Sequence, residues 1–203
     1  MKINKIKTLI FGLILLTFGA MGFSACEVSP SKQAISQLKT INGVVQFEVF
    51  GEMTGYTSKI LYEKIQLMKI AGLTHMKIFI MSGGGNAFDC MGVIDVLQDA
   101  QKAGIHITTV GIGIVASAAV PVFLCGDTRI AGPDTIFMLH KIERPSYLDE
   151  DTKEIIELLE YQYQSFVVDH SNLTYEQVDK ICGDYTWFTV KEAIQWGMVD
   201  QVL

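Results

Sequence analysis

Met76-Lys-Ile-Phe-Ile-Met81, followed at once by Ser82-Gly83-Gly84-Gly85, is the stretch on which the fold is read. So short and nearly continuous an apolar run is what a strand buried on both faces requires. The glycines break it. Ala87 to Ala103 then sets Met91, Ile94 and Leu97 on one helical face, with Gly104 beyond the end. Ile105 to Val110 is the next strand. Strand, helix and strand at this spacing make a right-handed βαβ unit, and the fold class is α/β with a parallel sheet covered by helices.

The same alternation extends in both directions. Upstream, Val44 to Phe50 is rich in β-branched and aromatic residues and stops at Gly51, a strand. Thr57 to Ile70 carries a helical stripe of Ile60, Leu61, Ile65, Leu67 and Met68, closed by Gly72. Downstream, Val115 to Cys125 is apolar and rich in small residues, the pattern of a buried helix. Thr128 to Ala131 and Thr135 to Leu139 are short strands around the turn Gly132-Pro133-Asp134. A long helix is expected from Asp151 to about Val168, opened by the capping-box spacing Asp151 to Glu154. Thr174 to Gln177 and Thr189 to Glu192 repeat that device, and Gly197 stops the last helix. Residues 41–203 therefore read as one domain.

The first residues read differently. Lys2, Lys5 and Lys7 precede an uncharged run from Leu9 to Phe23, and small residues then lead to Cys26. A charged start, an apolar run and a small-residue exit make a secretory signal peptide over 1–25. The run of about 15 residues is shorter than the roughly 20 a membrane span needs. Phe23-Ser24-Ala25-Cys26 is similar to a bacterial lipobox, in which the cysteine is lipidated and becomes the mature N-terminus, although Leu usually stands where Phe23 does. A plain signal peptide and an uncleaved anchor are the other readings, and all three export the body. Residues 26–40 are polar and suit a tether to the membrane.

The whole chain carries a net charge of −6, and the three lysines of the leader make the remainder more acidic still. With no cluster of Lys and Arg, the body lacks the basic footprint that nucleic acid demands. Cys90, Cys125 and Cys182 show no C-x-x-C spacing, so neither a metal nor a redox site is expected, and no cofactor.

Acyl-transfer chemistry on a serine needs an activated hydroxyl, a base within reach, and backbone donors aimed at the developing oxyanion. Ser117 lies in Gly113-Ile-Val-Ala-Ser-Ala-Ala119, after a glycine and among residues small enough to admit a substrate backbone. His140 ends the strand Ile136-Phe-Met-Leu-His140, at the carboxyl edge where α/β sheets collect ligands. Gly83 to Gly85, between strand and helix, can present N–H groups to an anion. Taken singly, each has a plain structural explanation: a packed serine, a strand-end histidine, a tight turn.

Taken in order, Ser82-Gly-Gly-Gly85, Val115-Ala-Ser117-Ala118, Met138-Leu-His140, Trp187-Phe-Thr-Val-Lys-Glu-Ala193 and Gly197-Met-Val-Asp200 resemble the proteolytic subunit of Clp proteases, most of all the prophage-encoded variants. The likeness runs from about Phe47 to the C-terminus. It implies a crotonase-like (ClpP-type) β/α spiral and a serine-type endopeptidase. Ser117 matches the nucleophile and His140 the base. Gly85 and Ala118 match the two oxyanion-hole amides. The resemblance further implies peptide or protein substrates and a homo-oligomeric ring built through the helix after Asp151.

Three departures from the family pattern stand out. Gly83 replaces a proline in the oxyanion loop. Lys141 to Leu148 replaces a glycine-rich segment that pairs with substrate and joins rings. Ile181 occupies the position of the acid, and an isoleucine cannot orient a histidine. Asp184, in the turn after Gly183, is the candidate replacement. Asp179, a bare Ser117–His140 dyad, and an Asp184 that merely stabilises its own turn remain open beside it. Other functions on this fold are a non-catalytic ring or membrane scaffold, an acyl-CoA enzyme, and a membrane peptidase with a lysine base. An exported chain would stand outside the reach of ATP, so no ATPase partner is expected.

Overall fold

The computed structural model describes residues 30–143 and 150–203. The leader over 1–25 and Cys26 lie outside the described residues. The tether expected over 26–40 is folded in its described part. Residues Pro30–Ser36 form helix α1, with Ala34 and Leu38 buried. Strand β1 (Thr40–Ile41) then turns back antiparallel onto β2 (Val44–Phe50). The two turn residues, Asn42 and Gly43, have φ of 53° and 80°, the pair of positive values that a two-residue hairpin of matching twist requires.

The βαβ unit forms where the sequence places it. Helix α2 (Gly55–Ala71) ends on Gly72 at φ 68°. Then come β3 (His75–Ser82), α3 (Ala87–Lys102) and β4 (His106–Ala116), with β2, β3 and β4 mutually parallel. Strand β3 is not buried on both faces as expected. Met76, Ile78 and Ile80 are buried, while Lys77 and Phe79 are only partly covered and Met81 is exposed. The apolar residue Phe79 on the open face serves as a platform for Lys77, whose ammonium lies 5.6 Å from the ring centre.

Strand β4 decides the rest of the architecture because, beside β3, it is long enough to serve two further partners, β5 and β6. Thr108 to Gly111 pair in parallel with β5 (Thr128–Ala131), and Ile114 to Ala116 pair in parallel with β6 (Ile136–Leu139). Between those halves Gly113 takes φ 66° and the register with β3 shifts. The buried helix expected from Val115 therefore starts later. Val115 and Ala116 are strand residues, held by Ser82 on one side and β6 on the other, and α4 spans only Ala119–Leu124. Non-local pairing overrides the helical look of this small-residue run.

Helices α5 (Glu150–Asp169) and α6 (Tyr175–Gly183) follow, then β7 (Thr186–Thr189), α7 (Val190–Gln195) and β8 (Gln201–Val202). The side chain of Asp151, in the first expected capping box, lies outside the described residues. The other two boxes are closed, by Thr174 with Gln177 and by Thr189 with Glu192. Strand β7 runs antiparallel to β6, with Phe188 opposite Phe137. The Phe137 ring stacks on Phe188 at 5.5 Å and tilts against Phe123 of α4 at 5.4 Å. All three are buried, and each contributes on the order of 1.5–3 kcal/mol by burial. This packing anchors β6, and with it the strand end that carries His140. No helix among the described residues is long and apolar enough to cross a membrane.

Candidate active site

Parallel register brings the first two site residues together. Ala116 of β4 pairs with Met138 of β6, and the Ser117 N–H donates to the Met138 carbonyl at 2.8 Å. The chain must turn at Ser117 from strand into α4, and it does so at φ 54°. A serine held in the left-handed region costs on the order of 1–3 kcal/mol and persists only where its surroundings impose it. The turn carries the hydroxyl past the sheet edge, where His140 Nε2 lies 2.6 Å from Ser117 Oγ.

The glycine loop reaches the same point because Ser82 pairs with Val115. Gly84 adopts φ 106°, and a Cβ there would sit 2.7 Å from Ser117 Cβ and 3.0 Å from both the Ala116 carbonyl oxygen and the Ala118 nitrogen. Gly85 packs so tightly on Met53 that a Cβ would collide with its carbonyl oxygen. Met53, bridged in parallel to Gly85, donates its N–H to the Gly84 carbonyl at 2.8 Å. Ser82 Oγ accepts from the Gly84 N–H at 3.1 Å. The N–H groups of Gly85 and Ala118 have no partner among the described residues. Behind Ala118, the Cys90 thiol donates to its carbonyl at 2.9 Å. Burial pushes that thiol up to about 12, so it remains a protonated donor.

A cavity of about 590 Å³ opens in front of these groups, bordered by Gly85, Ser117, Ala118 and His140. Helix α5 supplies its apolar wall through Ile156, Leu159 and Tyr163. The Tyr163 hydroxyl donates to the Ser117 carbonyl at 3.2 Å. Burial holds its phenol well above the ordinary range, so it keeps its proton.

The histidine's other side is arranged differently. His140 Nδ1 is buried and has no hydrogen-bond partner among the described residues. Asp184 does not come to it. That aspartate caps the C-terminus of α6, with its N–H on the Lys180 carbonyl. It is exposed and borders a separate groove with Ile181, Lys180 and Trp196. The expected Asp184–His140 bond is thus not formed, because the helix end commits the residue's backbone and points it elsewhere. Asp179 is also engaged elsewhere: Lys141 Nζ lies 2.9 Å from its carboxylate, and Gln164 donates to it at 3.3 Å. Those two hydrogen bonds hold Asp179 below its usual carboxylate range. What faces the imidazole is Tyr185, ring centre to ring centre at 4.8 Å.

A family model described as Clp protease matches residues 39–203. The chain belongs to the Clp protease family. It is 32% identical over 136 residues to the ATP-dependent Clp protease proteolytic subunit 2 of Thermobifida fusca, covering 62% of this chain and 64% of that one. Against the ATP-dependent Clp protease proteolytic subunit of Porphyromonas gingivalis the identity is 26% over 160 residues, with 75% and 70% covered. The chain thus spans less than two thirds of the Thermobifida relative. In fold it matches a solved point mutant of ClpP1 from Listeria monocytogenes at a TM-score of 0.70, with 22% identity, covering 78% of this chain and 90% of that one. The fold is therefore ClpP-type.

Sequence reading missed Met53, Tyr163 and Tyr185. Tyr163 was legible in principle, since Ile156, Leu159, Tyr163 and Val167 form a buried stripe on α5. Met53 and Tyr185 carry no local signal. Among the described residues no group of His, Cys, Asp and Glu could hold a metal ion.

Proposed function

We propose that this chain is a serine-type endopeptidase with Ser117 as nucleophile and His140 as general base. The observation that carries the reading is the 2.6 Å contact between His140 Nε2 and Ser117 Oγ at the rim of a cavity bordered by two residues, Gly85 and Ala118, whose amides are unpaired among the described residues. With its proton on Nδ1, His140 accepts the hydroxyl proton at Nε2 while Oγ bonds the scissile carbonyl carbon. The N–H groups of Gly85 and Ala118, with no other partner among the described residues, are the donors for the oxyanion. The Nε2 proton then passes to the leaving amine, and water repeats the sequence to release the acyl group.

Labelling the purified full chain with a serine-directed fluorophosphonate, followed by peptide mapping, tests this. A tag on Ser117, lost in Ser117→Ala and His140→Gln, is expected. An untagged wild type would favour the second reading, a non-catalytic ring or membrane scaffold, for which speaks the Nδ1 of His140, unpartnered among the described residues.

The assembly and location follow as proposals on the same footing. The body forms a homo-oligomeric ring, supported by the apolar groups that α5 and α6 leave exposed at Leu158, Tyr161 and Tyr175. Light scattering giving a monomer at all concentrations would sink that. The chain is exported and tethered by a lipid on Cys26, and acts on peptides or proteins in the cell envelope without an ATPase. A fatty-acid analogue fed to cells should tag the wild type and leave Cys26→Ser unlabelled.

A further inference from the structure

Only three residues other than glycine among those described have positive φ: Asn42, Ser117 and Tyr185. Asn42 belongs to its hairpin turn, and Ser117 is the nucleophile of the proposed reaction. Tyr185, at φ 50°, follows the Asp184 C-cap of α6 with its N–H on the Cys182 carbonyl, a helix-ending position that glycine usually fills and a tyrosine seldom does. That turn brings the tyrosine ring onto His140.

We infer that Tyr185 is a positioning residue that holds the His140 imidazole against Ser117, where no acid among the described residues meets Nδ1. The inference rests on the peptidase reading. Three contacts support it. The Tyr185 ring covers the imidazole at 4.8 Å, inclined by 32°. Its hydroxyl donates to Glu143 Oε1 at 3.2 Å, which straps the segment leaving His140 to the same ring. The backbone completes the strap, because the N–H groups of Lys141 and Tyr185 both donate to the Cys182 carbonyl, at 3.1 and 3.4 Å.

The chemistry gives the ring a task. In a triad, a carboxylate on Nδ1 fixes the imidazole's orientation and steadies the imidazolium that forms when the serine proton arrives. Here Nδ1 is buried with no acceptor among the described residues. Among the described residues, packing sets the orientation, and what lies on the imidazole face steadies the transient cation. An aromatic face attracts a cation through its quadrupole, and Tyr185 presents one. The hydroxyl–Glu143 bond is exposed and adds little, so the ring seated on the imidazole carries the role.

Two substitutions separate the aromatic face from plain apolar cover. Tyr185→Phe keeps the ring, and Tyr185→Leu keeps bulk alone; both leave the backbone strain as it is. With p-nitrophenyl butyrate as substrate and the purified full chain, Tyr185→Leu should lower kcat about tenfold with KM unchanged. Tyr185→Phe should stay within about threefold of wild type, and fluorophosphonate labelling rates should follow the same order. A Leu variant equal to wild type, or a Phe variant as slow as Leu, overturns the inference. Crystal structures of wild type, Phe and Leu variants add a readout independent of turnover. The imidazole should stay on Ser117 in the first two and turn away in the third. If wild type is neither labelled nor active, the peptidase reading falls and the crystal comparison alone decides the positioning role. An imidazole unmoved in Tyr185→Leu refutes it.

Discussion

The two halves of the site are built to different standards. Around Ser117, the proposed nucleophile, Gly84, Gly85 and Ala118 are held by three parallel strands and by Met53, Cys90 and Tyr163. Around His140, the proposed base, the strand has ended. Tyr185 is half exposed, Glu143 is at the surface, and His140 Nδ1 is unpaired among the described residues. The contrast shows two ways of holding a positive φ. A serine at φ 54° survives because the sheet on both sides over-determines it, whereas Tyr185 reaches φ 50° as the residue that ends α6, held by helix-end hydrogen bonds.

The strongest test of the nucleophile half is Ser117→Ala. Loss of the hydroxyl should reduce turnover by about a thousandfold or more, as for other serine nucleophiles, with Tm unchanged or slightly raised, since Ala removes no buried contact other than the bond to His140. Gly84→Ala comes next. At φ 106° with the Ser117 Cβ only 2.7 Å from the new methyl, strain and collision together should destabilise the chain by roughly 1–3 kcal/mol, read from urea unfolding. Turnover should fall about a hundredfold, because a misplacement of about 1 Å has that effect. Retention of full activity in Gly84→Ala would mean that the loop is as loose as the base half.

Smaller effects are expected on the other side. Asp179 sits below its usual carboxylate range, held there first by its hydrogen bond to Lys141 and then by that to Gln164. A carboxylate whose pKa is lower folded than unfolded stabilises in full above the unfolded value, and that stabilisation is lost as pH falls through the folded one. Asp179→Asn should therefore lower Tm slightly at neutral pH, and the difference from wild type should vanish in acid. An equal difference at all pH values would show that packing, not charge, holds Lys141. Smallest of all is Asp184→Asn. With its carboxylate in a separate groove, turnover within about twofold of wild type is expected in steady-state kinetics. A fall of a hundredfold would show that the base half closes on substrate and brings Asp184 in.

Much of this was legible in the residues. The helical stripe from Ile60 to Met68, the apolar run before Ser82, and the capping boxes at Thr174 and Thr189 express periodicities and caps set by near neighbours. They appear in the structure close to their expected bounds. The order of glycine loop, Ser117 and His140 was enough to suggest their chemistry through a family likeness. Less legible were segments whose state depends on distant partners. Residues 115–118 look helical because they are small and apolar, yet they are strand and turn. Residues 30–38 look like a polar tether, yet Ala34 and Leu38 are buried.

The sequence alone determined the alternation of strands and helices and the breaks at Gly72 and Gly104, because these depend on side-chain period and backbone permissiveness, and it singled out Ser117 and His140 only through a family likeness. The tertiary structure decided that β4 splits its pairing between β5 and β6, which places Ser117 against His140. It also decided that Tyr185, and not Asp184, faces the imidazole. Register between strands far apart in the chain, and the direction of a residue at a helix end, are set by which packing buries the Phe123, Phe137 and Phe188 core best. No local stretch of residues carries that information.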